Sequence, residues 1–460
     1  MDSIGMNILF WHGYLLTGTG SNIYTSNVCR TFRKEGHDVF LMCQHKRTPP
    51  PPFLDAEGDF DDGNESYRTQ PTGAEPASGR CTLVRPAIGE LLPVYVYEQY
   101  PHLKAKTFLD LTEEELRRYV ETNVAAMVTA IEDHRPDAIF VGHEVMGPYI
   151  AKLACEKTGT TYSVQLHGSA LEYAVKKQDR YRHYALEGLM GAHRVIGGSN
   201  YMLRAASETV PGWEKRGVVI NPGCDIDLFR PTKRPRSGDP VVSFVGRLIP
   251  QKGVHDFIAA LPLVKGSPFK VVIVGGGKFG EALRGLVDAF KTGEIFDAVN
   301  RILDEAPQEM TRSFTSFFAN GLPQDYLDKA KKISIEFLGH IDHIPLSKEL
   351  PSFDVLVVPS IVPEAFGMVA AEAAACGVLP IVPDHSGISE VGAAIEDALD
   401  RKGFLTFDSS DSIRSMSEAI DRVLGVGPEE HFEMGRIASQ CAGRNWAWEG
   451  VTKRLLEAAS

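Results

Sequence analysis

Val241-Val-Ser-Phe-Val-Gly-Arg-Leu-Ile-Pro-Gln-Lys-Gly-Val254 begins as five residues fit for a buried strand and ends in a glycine-bounded turn. The strand stops at Gly246, Arg247 emerges from its carboxyl end, and Lys252 stands just before the next helix. Open α/β folds bind ligands outside the carboxyl ends of their strands. Two cations at that edge suit a diphosphate, and the flanking glycines let backbone come close to it.

The same rhythm runs outward in both directions. Lys270 to Val274, Ile335 to Leu338, Val355 to Pro359 and Leu379 to Val382 follow, while Asn7 to Trp11, Asp38 to Cys43, Ala138 to Gly142, Thr161 to Leu166 and Val195 to Gly198 precede. Short apolar runs without alternation, separated by longer amphipathic stretches, predict parallel sheets wound by helices on both faces. The rhythm breaks at Arg230-Pro-Thr-Lys-Arg-Pro-Arg-Ser-Gly-Asp-Pro240, which reads as a linker. A chain of 460 residues also exceeds what one core usually organises. The expected division is a first α/β domain over residues 1–220, a linker over 221–240, a second α/β domain over 241–440 and a closing segment over 441–460.

Two stretches interrupt this pattern. Residues 46–80 are poor in aliphatic side chains and rich in Pro, Gly and acid, and are expected to form a flexible loop, either a lid over an acceptor or a variable surface loop. Residues 291–332 carry helical patches around Phe296 to Leu303 and Tyr326 to Lys332 and read as an insertion between a helix and a strand.

Composition narrows the function. With 43% hydrophobic and 23% charged residues the chain is neither fibrous nor of low complexity. A net charge of -12 with no basic run argues against a nucleic-acid partner. The seven cysteines (Cys29, Cys43, Cys81, Cys155, Cys224, Cys376, Cys441) are scattered, odd in number and never in a C-x-x-C pair, so neither a disulfide framework nor a zinc site is expected and a reducing cytoplasm is the simplest compartment. The segment MDSIGMNILFWHGYLL lacks a basic start and breaks its apolar run at His12, and no run is long enough for a membrane span.

Three further motifs carry chemistry. Gly18-Thr-Gly-Ser-Asn22 joins the first strand to a helix-like stretch, where Gly20 and its neighbours allow an anion near a helix N-terminus, although a tight turn explains the glycines equally well. Pro359-Ser-Ile-Val-Pro-Glu-Ala-Phe-Gly-Met-Val-Ala-Ala-Glu372 leads from a strand into an Ala-rich helix. The N–H groups of Gly367, Met368 and Val369 would face phosphate oxygens there. Glu364 and Glu372 would each accept hydrogen bonds from paired hydroxyls, one of the donor sugar and one of the ribose. Val164-Gln-Leu-His-Gly-Ser-Ala-Leu-Glu172 places His167 at a strand end, as a donor to a sugar hydroxyl or simply as a satisfied polar residue; His12, His143 and His193 have no better claim. Asp225-Ile-Asp227 has the D-x-D spacing of a metal-bridged nucleotide but sits in linker-like sequence and reads as turn chemistry. No metal ligand is assigned, because Arg247, Lys252 and helix N–H groups supply the charge a diphosphate needs.

Together these residues resemble the retaining glycosyltransferases of family 4, also called glycosyl transferases group 1. The resemblance spans nearly the whole chain: the Gly18–Asn22 loop, Leu92-Pro-Val-Tyr-Val-Tyr97 with Lys106 to Glu114, the His167-Gly168 step, Asn221-x-Gly-x-Asp225, the Gly246-Arg-x-x-x-x-Lys-Gly253 segment and Glu364-Ala-Phe-Gly-x-x-x-x-Glu372. Thr19 and Pro222 depart from the glycines usual at those positions. The resemblance implies the GT-B fold, with two Rossmann-like doubly wound domains facing across a cleft. The first would bind the acceptor and the second the nucleotide, and Asn445 to Leu456 would begin a helix crossing back to the first. It implies that Arg247 and Lys252 stabilise the leaving diphosphate, Glu364 meets the donor sugar, Glu372 holds the ribose, Gly367 to Val369 cradle phosphate or sugar, and His167 sits near the reacting carbon.

The implied reaction is transfer of a hexosyl group from a UDP-, GDP- or ADP-sugar with retention of configuration. The departing phosphate oxygen itself would take the acceptor proton, with no metal and no cofactor besides the donor. The acceptor, whether sugar, lipid carrier or small molecule, is not written in the sequence, nor is the base, which the family reads through backbone near Gly339 to Ile341. A cytoplasmic protein with or without peripheral membrane contact fits. The alternatives are a catalytically silent nucleotide-sugar-binding subunit or regulator and, last, a phosphorylase or epimerase on the same architecture.

Overall fold

In the computed structural model each of these ten apolar runs forms a parallel strand. The structure describes residues 5–96, 104–231, 238–266 and 268–460; Tyr97 of the quoted motif and residues 232–237 of the Pro-rich break lie outside them. The chain divides into two units, Met1–Pro222 together with Trp448–Ser460, and Gly223–Ala447.

The first unit is built on a nine-stranded sheet in the order Gly217–Val219, Arg194–Gly197, Ser163–Leu166, Ala138–Gly142, Asn7–Trp11, Asp38–Met42, Arg80–Arg85, Ala56–Phe60 and Tyr67–Pro71. Every neighbouring pair is parallel except the last. Asn7–Trp11 pairs on both sides and is buried from Ile8 to Trp11, as a strand covered on both faces must be. Helices Gly20–Lys34, Glu113–His134, Gly147–Thr158, Asp179–Gly191 and Asn200–Thr209 connect the strands. Glu113–His134 starts on a reciprocal capping box between Thr112 and Glu115.

Residues 46–80 correct the expectation of a flexible loop. They hold the strands Ala56–Phe60 and Tyr67–Pro71, an antiparallel hairpin attached to the sheet through Arg80–Arg85. Three of its acids are tied to buried arginines. Asp55 pairs with the buried Arg33 at 2.7 Å, and the buried Arg85 reaches Glu57 at 2.9 Å and Asp59 at 2.7 Å. Both arginines lie outside the segment, so its composition alone hides the charges that order it.

The chain re-enters the first unit at its end. Helix Pro428–Trp446 belongs to the second unit, Ala447 is extended, and helix Trp448–Ala459 belongs to the first. The returning piece therefore starts at Trp448 rather than at 441. It packs on Gly20–Lys34, with the Trp448 ring edge-on to Tyr24 and Thr452 Oγ1 donating to Glu35 Oε2 at 2.8 Å.

The second unit has a six-stranded parallel sheet in the order Ser334–Gly339, Lys270–Val274, Val241–Val245, Val355–Val357, Leu379–Pro383 and Thr406–Phe407. Residues 291–332 fold as three helices, Phe296–Glu305, Arg312–Ala319 and Tyr326–Ala330, held by the buried Ile302, Phe314, Phe317 and Tyr326. The middle helix had no signal beyond its three phenylalanines. Among the described residues no helix is long and apolar enough to cross a membrane. Two α/β units, each built on a parallel sheet, are the pair of domains that the resemblance implies.

Candidate functional site

Strand Val241–Val245 delivers the exposed Arg247 to its carboxyl end, and the single turn Pro250–Lys252 follows. Gly253 then adopts a φ of +66° with its α-carbon against the Pro359 carbonyl. Ile361 N–H adds a bond to Gln251 carbonyl at 3.0 Å. The Lys252 turn and the loop after Val355–Val357 are thereby fastened together, and Lys252 Nζ forms an ion pair with Glu364 Oε1.

Glu364 is held from several sides. Ser360 Oγ also donates to Oε1, Glu364 N–H donates to Ser386 Oγ at 3.0 Å, and its carbonyl accepts from Gly387 N–H at 2.8 Å. Burial works to raise its carboxyl, but the Lys252 charge and the bonds from Lys252 and Ser360 outweigh burial and hold it below the usual carboxylate range. An ionised carboxylate is therefore presented beside a cation. A lysine ammonium has three donors, so pairing with one carboxylate oxygen leaves it able to serve an incoming phosphate.

Gly367 precedes the helix Met368–Ala375 at φ +103°, where a β-carbon would lie 2.7 Å from Ile388 Cγ1. Only glycine satisfies both the backbone angle and the contact. The first bond within this helix runs from Ala370 N–H to Gly367 carbonyl at 3.0 Å, so the amides of Met368 and Val369 precede it at the positive end of the helix. Glu372, in the same helix, is 7% exposed and accepts from His343 Nε2 at Oε1 over 2.8 Å. The second unit thus brings Lys252, Glu364 and Ser360 into direct contact and joins Glu372 to His343, a partner 29 residues away that spacing did not reveal. Asp225 Oδ1 accepts from the N–H groups of Asp227 and Leu228 at 3.1 and 3.0 Å, the turn chemistry read from the sequence.

In the first unit, Gly20 opens the helix Gly20–Lys34 with open space where a side chain would stand; the residue of that loop with left-handed backbone is Gly18, at φ +97°. His167 follows strand Ser163–Leu166, is partly buried and packs against aromatic rings. His143 lies 4.8 Å from it between centroids, Tyr24 5.3 Å, and His12 stacks on His143 at 5.6 Å. His193 precedes its strand and so belongs to the opposite sheet edge. Burial pushes His12 down to about 4 and His167 to about 3, and pushes His143 well below the usual histidine range, with the neighbouring imidazoles adding to the last two. All three are neutral at pH 7. Atoms His12 Nδ1, His167 Nε2 and both His143 nitrogens are buried with no hydrogen-bond partner among the described residues.

Glu144 is a residue of the His167 loop that sequence reading missed. Its fully buried carboxylate accepts from His167 N–H at 2.9 Å, Gly168 N–H at 2.7 Å and Leu171 N–H at 3.2 Å, so one side chain shapes the loop that carries His167. Burial pushes its carboxyl up, against the pull of those three N–H groups. The signal available was Gly142-His-Glu144, two titratable residues directly after a strand.

Comparison with known proteins agrees with this geometry. The family model described as glycosyl transferases group 1 matches residues 225–320 and 325–438, and the glycosyl transferase 4-like domain matches residues 19–223. D-inositol 3-phosphate glycosyltransferases of Mycobacterium tuberculosis and Mycobacterium bovis are 28% identical over 251 residues, 52% of this chain. That match spans 42% of the length of those relatives. Among solved structures, sucrose-phosphate synthase of Thermosynechococcus elongatus superimposes with a TM-score of 0.62 at 18% identity, over 99% of this chain and 100% of that one. Anabaena Alr3699/HepE in complex with UDP gives 0.59 at 16% identity, over 99% of each chain. The catalytic domain of starch synthase IV from Arabidopsis thaliana, bound to ADP and acarbose, gives 0.59 at 13% identity, over 99% of each chain. With the two family models covering both units, the chain belongs to the glycosyl transferases group 1 family.

Proposed function

We propose that this protein transfers a hexosyl group from a nucleoside diphosphate sugar to a hydroxyl acceptor with retention of configuration and without a metal ion. The observation that carries the reading is the half-buried, ionised Glu364 paired with Lys252, in the loop that leads to the helix carrying Glu372. Solved structures of the same fold hold UDP, UDP-glucose and ADP, which supports a nucleoside diphosphate donor.

In this reading the diphosphate lies against Arg247, Lys252 and the amides of Met368 and Val369. Departure of the nucleotide builds negative charge on the phosphate oxygen at the anomeric carbon, and these groups are already oriented to receive it. Glu364 accepts from donor-sugar hydroxyls and holds the ammonium of Lys252 in place, while Glu372 accepts from the ribose. The acceptor oxygen forms its bond to the anomeric carbon on the face the phosphate leaves, and its proton passes to the departing phosphate oxygen. No side chain need become covalently attached, so catalysis rests on charge stabilisation and positioning. His167, neutral and fixed by Glu144, donates to a sugar hydroxyl. All seven cysteines are buried and unpaired.

Thermal-shift titration with UDP, GDP and ADP, with and without magnesium, tests the reading, because a ligand bound only by the folded state raises its melting temperature. A magnesium-independent rise with one nucleotide, lost in Glu372→Ala, is expected and names the donor class. No rise with any of them sinks the assignment. Turnover of the matching nucleotide sugar then separates an enzyme from a silent binder.

A further inference from the structure

We infer that His343 positions the Glu372 carboxylate and thereby sets how strongly the site distinguishes a ribonucleotide from a nucleotide lacking ribose hydroxyls. The inference rests on the reading of Glu372 as the ribose acceptor. His343 opens the helix His343–Glu349, which follows the edge strand Ser334–Gly339, whereas Glu372 sits in Met368–Ala375. Two separate elements are therefore joined at one carboxylate oxygen, 2.8 Å from His343 Nε2. A carboxylate only accepts, so Nε2 carries the hydrogen.

The pair has a direction to it. Glu372 is 7% exposed at its side chain and His343 36%, so the imidazole stands on the solvent side of a carboxylate otherwise enclosed. The ring is itself held edge-on to the buried Phe229, with centroids 5.3 Å apart. A glutamate has three rotatable bonds, and a hydrogen bond at Oε1 from a ring that cannot turn freely fixes the last of them. That fixes where Oε2 points. A ribose offers two adjacent hydroxyls, which bind best to a carboxylate whose plane is set before the nucleotide arrives, because ordering a free side chain on binding costs affinity. His343 supplies that order without touching the nucleotide itself, which makes it a positioning residue.

The experiment measures dissociation constants by calorimetry for UDP, ADP or GDP, whichever raises the melting temperature, and for its 2′,3′-dideoxy counterpart. Wild type, Glu372→Ala, His343→Ala and His343→Gln are compared. Wild type is expected to prefer the ribose form and Glu372→Ala to lose that preference. His343→Ala is expected to reduce it by roughly three- to tenfold, the cost of one newly mobile side chain, with dideoxy affinity unchanged. His343→Gln, which keeps an N–H donor, should recover part of it. If Glu372→Ala loses the preference while His343→Ala keeps it in full, the role of His343 is overturned and that of Glu372 stands. If wild type shows no preference, the ribose reading of Glu372 falls and takes this inference with it. An equal loss of both nucleotides in His343→Ala also overturns it, since a positioning role touches the ribose form alone.

Discussion

Gly253 lies with its α-carbon against the carbonyl oxygen of Pro359, so closely that a β-carbon built on it would sit 1.9 Å from that oxygen. The contact fixes the distance between the turn that carries Lys252 and the loop that carries Glu364. Gly253→Ala must both strain a φ of +66° and push the two segments apart. A loss of about 2–4 kcal/mol is expected, read by urea denaturation, together with weaker nucleotide binding. Stability within about 0.5 kcal/mol of wild type would mean the segments are not locked in this way.

Lys252→Ala should lower kcat by about 10²- to 10³-fold, the range for removing one preorganised donor from a developing oxyanion. The same change leaves the half-buried Glu364 without the Lys252 ammonium. Steady-state kinetics with the nucleotide sugar that binds decides the point, and unchanged turnover would remove Lys252 from the mechanism.

The buried histidines predict an acid-labile protein. Each has a folded value below 6.5, about 4 for His12 and about 3 for His167, so below pH 6.5 the unfolded chain binds protons that the folded one refuses. Stability therefore falls as pH drops from 6.5 towards 4. Glu364 is held below the usual carboxylate range, so its contribution has the opposite origin: it is present in full above the ordinary carboxylate value and is lost as pH falls below that value. His143→Phe, which removes one such group while keeping a ring, should flatten the dependence by up to about 1.4 kcal/mol per pH unit. Urea unfolding of both proteins from pH 7 to 4.5 measures the difference, and superimposable profiles would contradict the neutral buried imidazole.

Glu144→Gln replaces one acceptor oxygen by an amide that opposes the N–H groups of His167, Gly168 and Leu171. The expected cost is about 1–3 kcal/mol of stability, with a fall in kcat and, on the proposed placement of the diphosphate at Arg247 and Lys252, an unchanged KM for the donor. A matched fall in donor affinity would show that the substitution disturbs more than the His167 loop.

The parallel sheets were legible because a strand covered on both faces must be apolar along its length, and Asn7–Trp11, Ala138–Gly142, Val241–Val245 and Lys270–Val274 have the bounds the runs predict. The hairpin at Ala56–Phe60 and Tyr67–Pro71 was not, since Arg33 and Arg85, which neutralise its acids, are distant in sequence. Arg247 and Lys252 stood out because they follow a strand between two glycines, and Glu364 and Glu372 because they flank Gly367 at the start of an Ala-rich helix. His343 and Glu144 did not, because what marks them is a partner reached only when separate elements fold together.

Trp448–Ala459 packs on the helix Gly20–Lys34, yet the ribosome makes it only after all of Gly223–Ala447. The first unit is thus begun first and completed last. During synthesis its groove for Trp448, Val451 and Leu455, which are buried in the finished fold, stays open until the second unit has emerged. A fragment stopped at Pro222 should be sticky and short-lived, and a separate peptide carrying residues 448–460 should rescue it.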